Sequence, residues 1–261
     1  MQNLSAKLIR EMGKGVRKLR APKGVRELPP KWPVDFSKFT KRLCNTVGPY
    51  TMTSKERVAA IERAVRYICD HQIEGDFVEC GVGPGGSVMA MMLTLLEVGD
   101  RTRHLWLYDT FEGMPKPGEH DTGRFGTPAV KLYDKRRKDG VSTWVNFSVE
   151  QVQKNLATTA YPAGQLHFVK GMVEETLAQQ KPLCISLLRL DTDWYDSHCA
   201  EIEHLFPLVA TGGVILLDDY FRYDGARKAV DDYTSEKGIR IFWARIDTHA
   251  VIGIKQTRAE P

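Results

Sequence analysis

Two runs place paired carboxylates directly behind apolar segments: "LLRLDTDWYD", with Asp191 and Asp193, and "VILLDDY", with Asp218 and Asp219. Each apolar segment reads as a strand buried on both faces, so the acids stand at strand ends. In an open α/β sheet the carboxyl ends of the strands share one edge, and ligands bind there. Carboxylates gathered at such an edge repel one another unless a cation lies between them. Oxygen-only donors favour a hard ion, Mg²⁺ or Ca²⁺, over zinc. The competing reading is that these aspartates cap the helices that follow. It suits Asp193 and Asp196 better than the adjacent pair Asp218–Asp219, because a cap needs one carboxylate.

A second constellation lies upstream. In "DFVECGVGPGGS" a strand-like run meets four glycines within six residues, and Gly81, Gly83 and Gly86 satisfy G-x-G-x-x-G. Asp109 follows at the end of the next apolar run, where a carboxylate can accept from both hydroxyls of a ribose. The loop therefore predicts a nucleoside-containing cofactor, against the alternative of a tight turn that needs only positive φ. Glu79, two residues before the first glycine, would repel a pyrophosphate and suit a cationic sulfonium, which favours S-adenosylmethionine over NAD.

The elements that must position these residues follow from periodicity. "TSKERVAAIERAVRYICDHQ" carries Val58, Ile61, Val65 and Ile68 on one helical face, with Thr53 and Glu56 in capping-box spacing. Beyond it, apolar strands alternate with helical patterns, as in a mostly parallel sheet covered on both faces. The end differs: "IRIFWARI" and "HAVIGIKQ" predict an antiparallel hairpin at one edge. Between Glu112 and Asn146 the chain is long and aperiodic, and a lid is expected there. Its run "KLYDKRRKDG" is basic, read either as a solvated charge run or as an attraction for a phosphorylated or acidic acceptor.

At 261 residues and 42% hydrophobic content, one large core fits. Of the net charge of +4, residues 1–42 hold twelve Lys or Arg against three acids, a local +9, leaving −5 for the rest. A basic arm over 1–49 is expected, with nucleic-acid binding the minority reading because few aromatics are interleaved. No apolar run is long enough for a bilayer and no secretory signal is evident, so no membrane and a cytoplasmic location are expected. Five scattered cysteines without C-x-x-C argue against a disulfide framework or a zinc site.

"DFVECGVGPGGS", "LYDTFEGMP", "LRLDTDWYDS" and "GGVILLDDY", followed by "GARKAVDDY", resemble the macrocin O-methyltransferase (TylF-type) family from about Tyr50 to Ile254. The glycine loop departs from the bulkier "GVWRGG" kind. The resemblance implies a Rossmann-like class I methyltransferase fold: a seven-stranded α/β sheet over residues 50–261, with a lid insertion at 112–146. It also implies Mg²⁺-dependent methyl transfer from S-adenosylmethionine to a sugar hydroxyl of a glycosylated small molecule, in a homo-oligomer. Asp191, Asp218 and Asp219 match the family's metal ligands. The cofactor-binding set expected is Thr51, Met52, Glu79, Gly81, Gly83, Gly86, Ser87, Asp109 and Thr110. Asp191, beside the reacting oxygen, is the candidate general base, with His120 and His198 as rivals. Two other classes stay open, an NAD-dependent sugar oxidoreductase and a non-catalytic nucleic-acid-binding protein. No Y-x-x-x-K follows the third strand to support the former.

Overall fold

The computed structural model describes residues 32–123, 126–138 and 141–256. The basic arm expected at the N-terminus lies largely outside the described residues. The described residues from Lys38 onward form one compact unit. Helix α1 (Lys38–Val47) belongs to it, although the arm was expected to run to residue 49. It buries Leu43, Cys44 and Val47, and the Thr40 hydroxyl donates to Glu62 at 2.6 Å. An amphipathic turn pattern hidden in a basic stretch explains the difference.

Among the described residues the main sheet has seven strands: β1 (Asp76–Cys80), β2 (Leu105–Asp109), β3 (Leu166–Lys170), β4 (Ile185–Leu190), β5 (Val209–Leu217), β6 (Ala244–Arg245) and β7 (Val251–Ile254). Their spatial order is β6-β7-β5-β4-β1-β2-β3. Strands β1 to β5 run parallel, and the expected antiparallel hairpin is present, with β7 inserted between β5 and β6. Every residue of β4 is buried, which accounts for its unbroken apolar run. The hairpin is shorter than the apolar pattern suggested, because Ile239–Trp243 is not strand.

Side chains alternate across the sheet. Val78, Cys80, Leu188, Leu190, Ile215 and Leu217 share one core with α7 (Tyr195–Leu205) and α8 (Asp224–Glu236). The opposite parity, with Phe77, Glu79, Leu187 and Arg189, faces α2 (Lys55–Asp70), which packs on α3 (Gly86–Val98). Helix α2 is capped by Ser54, whose hydroxyl accepts from Arg57 N at 3.2 Å. The cap was expected one residue earlier, at Thr53, whose hydroxyl instead points to Asp218 at 3.5 Å.

The stretch from Glu112 to Asn146 is not featureless. It holds helix α4 (Val130–Lys135) and two strand pairs of two residues each, Thr122–Gly123 with Thr127–Pro128 and Arg137–Lys138 with Val141–Ser142. Its own small core joins Ala129, Tyr133 and Trp144 to Trp194, Tyr223 and Ala226.

Candidate active site

The glycine loop leaves β1 and enters α3. Gly81 has φ +82°, and a Cβ there would lie 2.2 Å from the Asp191 carbonyl oxygen, so the ends of β1 and β4 can close on each other only over glycine. A Cβ at Gly86 would lie 2.4 Å from Tyr50 O, so glycine lets the chain before α2 cross the start of α3. Two of the three motif glycines thus serve contacts within the protein. At Gly83, with φ +52°, an added Cβ would meet, among the described residues, Val145 Cγ1 alone, at 3.4 Å.

A cavity of about 310 Å³ opens at this edge. Thr51, Met52, Gly81, Gly83, Gly86, Ser87, Asp109 and Thr110 line one part of it, and Asp191, Asp193, Asp218 and Asp219 line another. The sequence-derived sets therefore share one cavity, Glu79 excepted. Glu79 is 1% exposed and ion-paired to Arg189. The two are register partners on adjacent parallel strands, so alternation turns both inward toward α2. Burial pushes Glu79 up to about 7, against the pull of Arg189.

Asp109 is engaged by its own loop. One oxygen accepts from Val82 N (2.8 Å) and Gly83 N (3.0 Å), the other from Phe111 N (2.8 Å). Burial raises its pKa although these amides pull it down. A carboxylate has about four lone-pair sites, so capacity for a ribose hydroxyl remains. Thr110 spends its hydroxyl on Gly113 O, at 2.7 Å.

The four aspartates divide. Asp191, Asp193 and Asp219 bring oxygens within 4.8 Å of one another. Asp218, expected among the ligands, takes a guanidinium on each oxygen: Arg189 Nη2 at 2.7 Å and Arg57 Nη1. Its place in the three-carboxylate cluster is filled by Asp193, which has φ +71°. Parity again explains this, since Asp218 continues β5 on the α2 face and meets the two arginines there. Burial works against its charge, but Arg189 and Arg57 outweigh it and hold Asp218 below the usual carboxylate range. Burial and like-charged neighbours raise Asp191 and Asp219 well above that range, and burial takes Asp193 to about 6. Excess negative charge thus collects on three acids with hard oxygen donors, a set that fits a divalent ion.

Neither rival base lines the cavity. His120 is exposed with its ring 4.5 Å from that of Tyr195, and His198 is 1% exposed behind the Asp191–Asp193 turn. The residues missed by sequence reasoning are chiefly arginines. Arg57 bridges Asp218 and Asp247, the latter at 2.8 Å and 3.2 Å. Arg189 joins Glu79, Asp191 and Asp218. Their signal was present: a cation inside a buried strand, and another on the apolar face of α2.

The model of the macrocin-O-methyltransferase (TylF) family matches residues 40–254. The chain belongs to that family. As a macrocin-O-methyltransferase family member it is an O-methyltransferase, which decides against the oxidoreductase and non-catalytic readings. It is 32% identical over 192 residues to the 8-demethyl-8-(2,3-dimethoxy-alpha-L-rhamnosyl)-tetracenomycin-C 4'-O-methyltransferase of Streptomyces olivaceus, covering 73% of this chain and 69% of that one. To the demethyldecarbamoylnovobiocin O-methyltransferase of Streptomyces niveus it is 30% identical over 202 residues, 77% and 74% of the two chains. The solved structure of the O-methyltransferase NovP matches with a TM-score of 0.71 at 29% identity, over 80% of this chain and 83% of that one. The calicheamicin methyltransferase CalS11, at 15% identity and a TM-score of 0.57, shares the fold. Among the described residues no helix is long and apolar enough to cross a membrane.

Proposed function

We propose that the chain moves a methyl group from S-adenosylmethionine to a hydroxyl of a sugar on a glycosylated small molecule, assisted by a divalent ion such as Mg²⁺. The observation that carries this reading is one cavity with a glycine loop and Asp109 on one wall and a cluster of three carboxylates on another. The acceptor class draws support from relatives whose names describe methylation of glycosylated antibiotics.

Thr51, Met52, Gly81, Gly83, Gly86, Ser87, Asp109 and Thr110 would hold the cofactor. Glu79 is left out of that set, since it supports the loop from below. Asp191 and Asp219 would hold the ion, flanked by Asp193 on one side and by the arginine-held Asp218 on the other. When bound, such an ion supplies Lewis acidity that makes a sugar hydroxyl a better nucleophile.

The chain's own part is to orient the hydroxyl in line with the methyl carbon and to accept its proton. As the C–O bond forms, the C–S bond breaks and the proton passes to a carboxylate. Asp191, the candidate base by sequence, is engaged by Arg189 at 2.9 Å. Asp193 lines the cavity and has no arginine within salt-bridge distance among the described residues, so the geometry favours it as base. A homo-oligomer, as in the sequence-based expectation, is retained as part of the proposal.

The test is transfer of labelled methyl from S-adenosylmethionine to glycosides bearing neighbouring hydroxyls, before and after EDTA. Turnover lost in EDTA and restored by Mg²⁺ supports the reading. Full turnover in EDTA removes the ion from it, and no transfer to any glycoside removes the acceptor class.

A further inference from the structure

No residue of the turn between β6 and β7 lines the cavity, yet Asp247 in that turn is tied to the chain that does. One of its oxygens accepts from Ser54 Oγ at 2.7 Å and from Arg57 Nε at 2.8 Å. The other accepts from Arg57 Nη2 at 3.2 Å, His249 N at 2.8 Å and Ala250 N at 3.0 Å. The two amides fold the turn around the carboxylate, and a bond from Ile246 N to Ala250 O closes it at 2.9 Å. The turn is also fixed to the chain leaving β5, because His249 O accepts from Phe221 N at 2.8 Å. The Arg245 guanidinium carbon stands 4.0 Å from the centroid of the Phe221 ring. Burial works against the charge on Asp247, but Arg57, Ser54 and the two amides outweigh it and hold its pKa far below the usual carboxylate range.

The segment before α2 depends on such an anchor. Thr51, Met52 and Thr53 line the cavity, with Thr51 extended at φ −146° and ψ 153°. Among the described residues none of the three makes a backbone–backbone hydrogen bond. An extended stretch without ladder partners is ordered by what holds its two ends. At one end Tyr50 and Thr51 lie against Gly86, where an added Cβ would come within 2.4 Å of Tyr50 O and 2.5 Å of Thr51 Cβ. At the other end stands Ser54, the cap of α2, whose hydroxyl donates to Asp247 while accepting from Arg57 N.

An ion pair that only stabilised the fold would need a single contact between Arg57 and Asp247. It would not account for how Arg57 is divided: Nε and Nη2 lie on Asp247, which leaves Nη1 for Asp218 in the cavity wall. The guanidinium is a rigid planar fork, so fixing one edge fixes the direction of the other. The oxygen that takes Arg57 Nε also takes the Ser54 hydroxyl, so the start of α2 and the guanidinium are set together.

We propose that Asp247 is a positioning residue: through Ser54 and Arg57 it sets residues 51–53 on the cavity wall in the conformation that receives the cavity's ligand. That ligand is S-adenosylmethionine, a clause that rests on the methyl-transfer reading above.

The experiment uses the full chain and S-adenosylhomocysteine, by calorimetry well below the unfolding temperature. Asp247→Asn keeps the shape of the side chain but loses its charge and turns one acceptor into a donor. Its Kd should rise about tenfold, and KM for S-adenosylmethionine should rise in parallel, while kcat at saturation stays within about threefold. A residue that served stability alone would lower the unfolding midpoint and leave the Kd of the folded protein where it was. Arg57→Lys cannot grip Asp247 and Asp218 at once and should weaken binding by a similar factor. Because both substitutions break one link, the double variant should be no more than about twofold worse than Arg57→Lys alone. An unchanged Kd in Asp247→Asn, or fully additive effects, overturns the proposal. If Asp247→Asn does not fold, Asp247→Glu decides: a Kd raised about threefold supports the role and an unchanged one overturns it. If the wild-type chain binds no S-adenosylhomocysteine, the cofactor reading fails separately, and hydrogen exchange decides the positioning role. Amides of residues 51–57 that exchange at least about tenfold faster in Asp247→Asn support it, and equal exchange overturns it.

Discussion

Asp109 and Asp218 are both carboxylates at the ends of buried parallel strands, yet they are neutralised differently. Asp109 has no arginine beside it among the described residues and accepts three backbone N–H groups, two of them from the glycine loop it shapes. Asp218 accepts from two buried guanidiniums, one anchored in β4 and one in α2. Between them Asp191, Asp193 and Asp219 crowd within 4.8 Å. Charge has thus been settled by the backbone at the cofactor wall and by arginine at the β5 wall, and it remains in excess in the middle, where Asp191 shares Arg189 with Glu79 and Asp218 and Asp219 meets Arg222 only at 3.7 Å. An acid that is fully paired is a structural part, and the acids left in surplus are where an added cation has something to do.

The largest effect is expected in the middle group. Asp191→Asn and Asp219→Asn should each lower kcat about 10³-fold, with S-adenosylhomocysteine affinity within about twofold of wild type by calorimetry. A near-normal kcat in either variant would erase the distinction between surplus and paired acids.

Stability should invert that order. Asp218→Asn leaves two buried guanidiniums short of a carboxylate and is expected to cost about 3 kcal/mol in urea unfolding. Asp193→Asn relieves crowding and should change stability by less than about 1 kcal/mol. A larger loss for Asp193→Asn than for Asp218→Asn would show that the roles are exchanged.

Acid should act on the same wall through His198. Burial lowers its pKa to about 4, and its Nδ1 lies 3.1 Å from Trp194 O, which makes Nδ1 the protonated nitrogen of the neutral ring. With the folded value below the unfolded one of about 6.5, the unfolded chain takes up the proton first. Stability is therefore complete above that pH, declines as pH falls, and levels off below the folded value, a loss of up to about 3 kcal/mol. His198→Gln should flatten this part of the urea midpoint-against-pH curve. An unchanged slope would assign the acid sensitivity to the carboxylates alone.

The smallest effect belongs to the cofactor wall. Asp109→Asn keeps one acceptor oxygen but loses charge and part of the loop's anchoring, so affinity for S-adenosylhomocysteine should drop about tenfold, or about 1.4 kcal/mol. No change in calorimetry would mean that the loop holds its shape without this carboxylate.

The fold was legible because its cause is local in sequence. Unbroken apolar runs such as "CISLLRLD", alternating with helical faces such as Val58–Ile61–Val65–Ile68, mark parallel strands and covering helices. The closing change to two successive strands marks the hairpin. Helix α1 was not legible, because its apolar face is short and set in a basic stretch, and the lid's two-residue strand pairs lie below the length at which alternation can be read.

By itself, then, the sequence determined which residues stand at the carboxyl edge of the sheet, since a strand's end and the acids that follow it are neighbours along the chain. Only the tertiary structure decided what each of them does. Register set Glu79 opposite Arg189 and sent both beneath the loop. Parity carried Asp218 to the face where α2 supplies Arg57, and left Asp193 with Asp191 and Asp219. The physical reason is that an ionised group's state depends on the charges and donors within a few ångströms, and here Asp218 finds its partners 29 and 161 residues away along the chain.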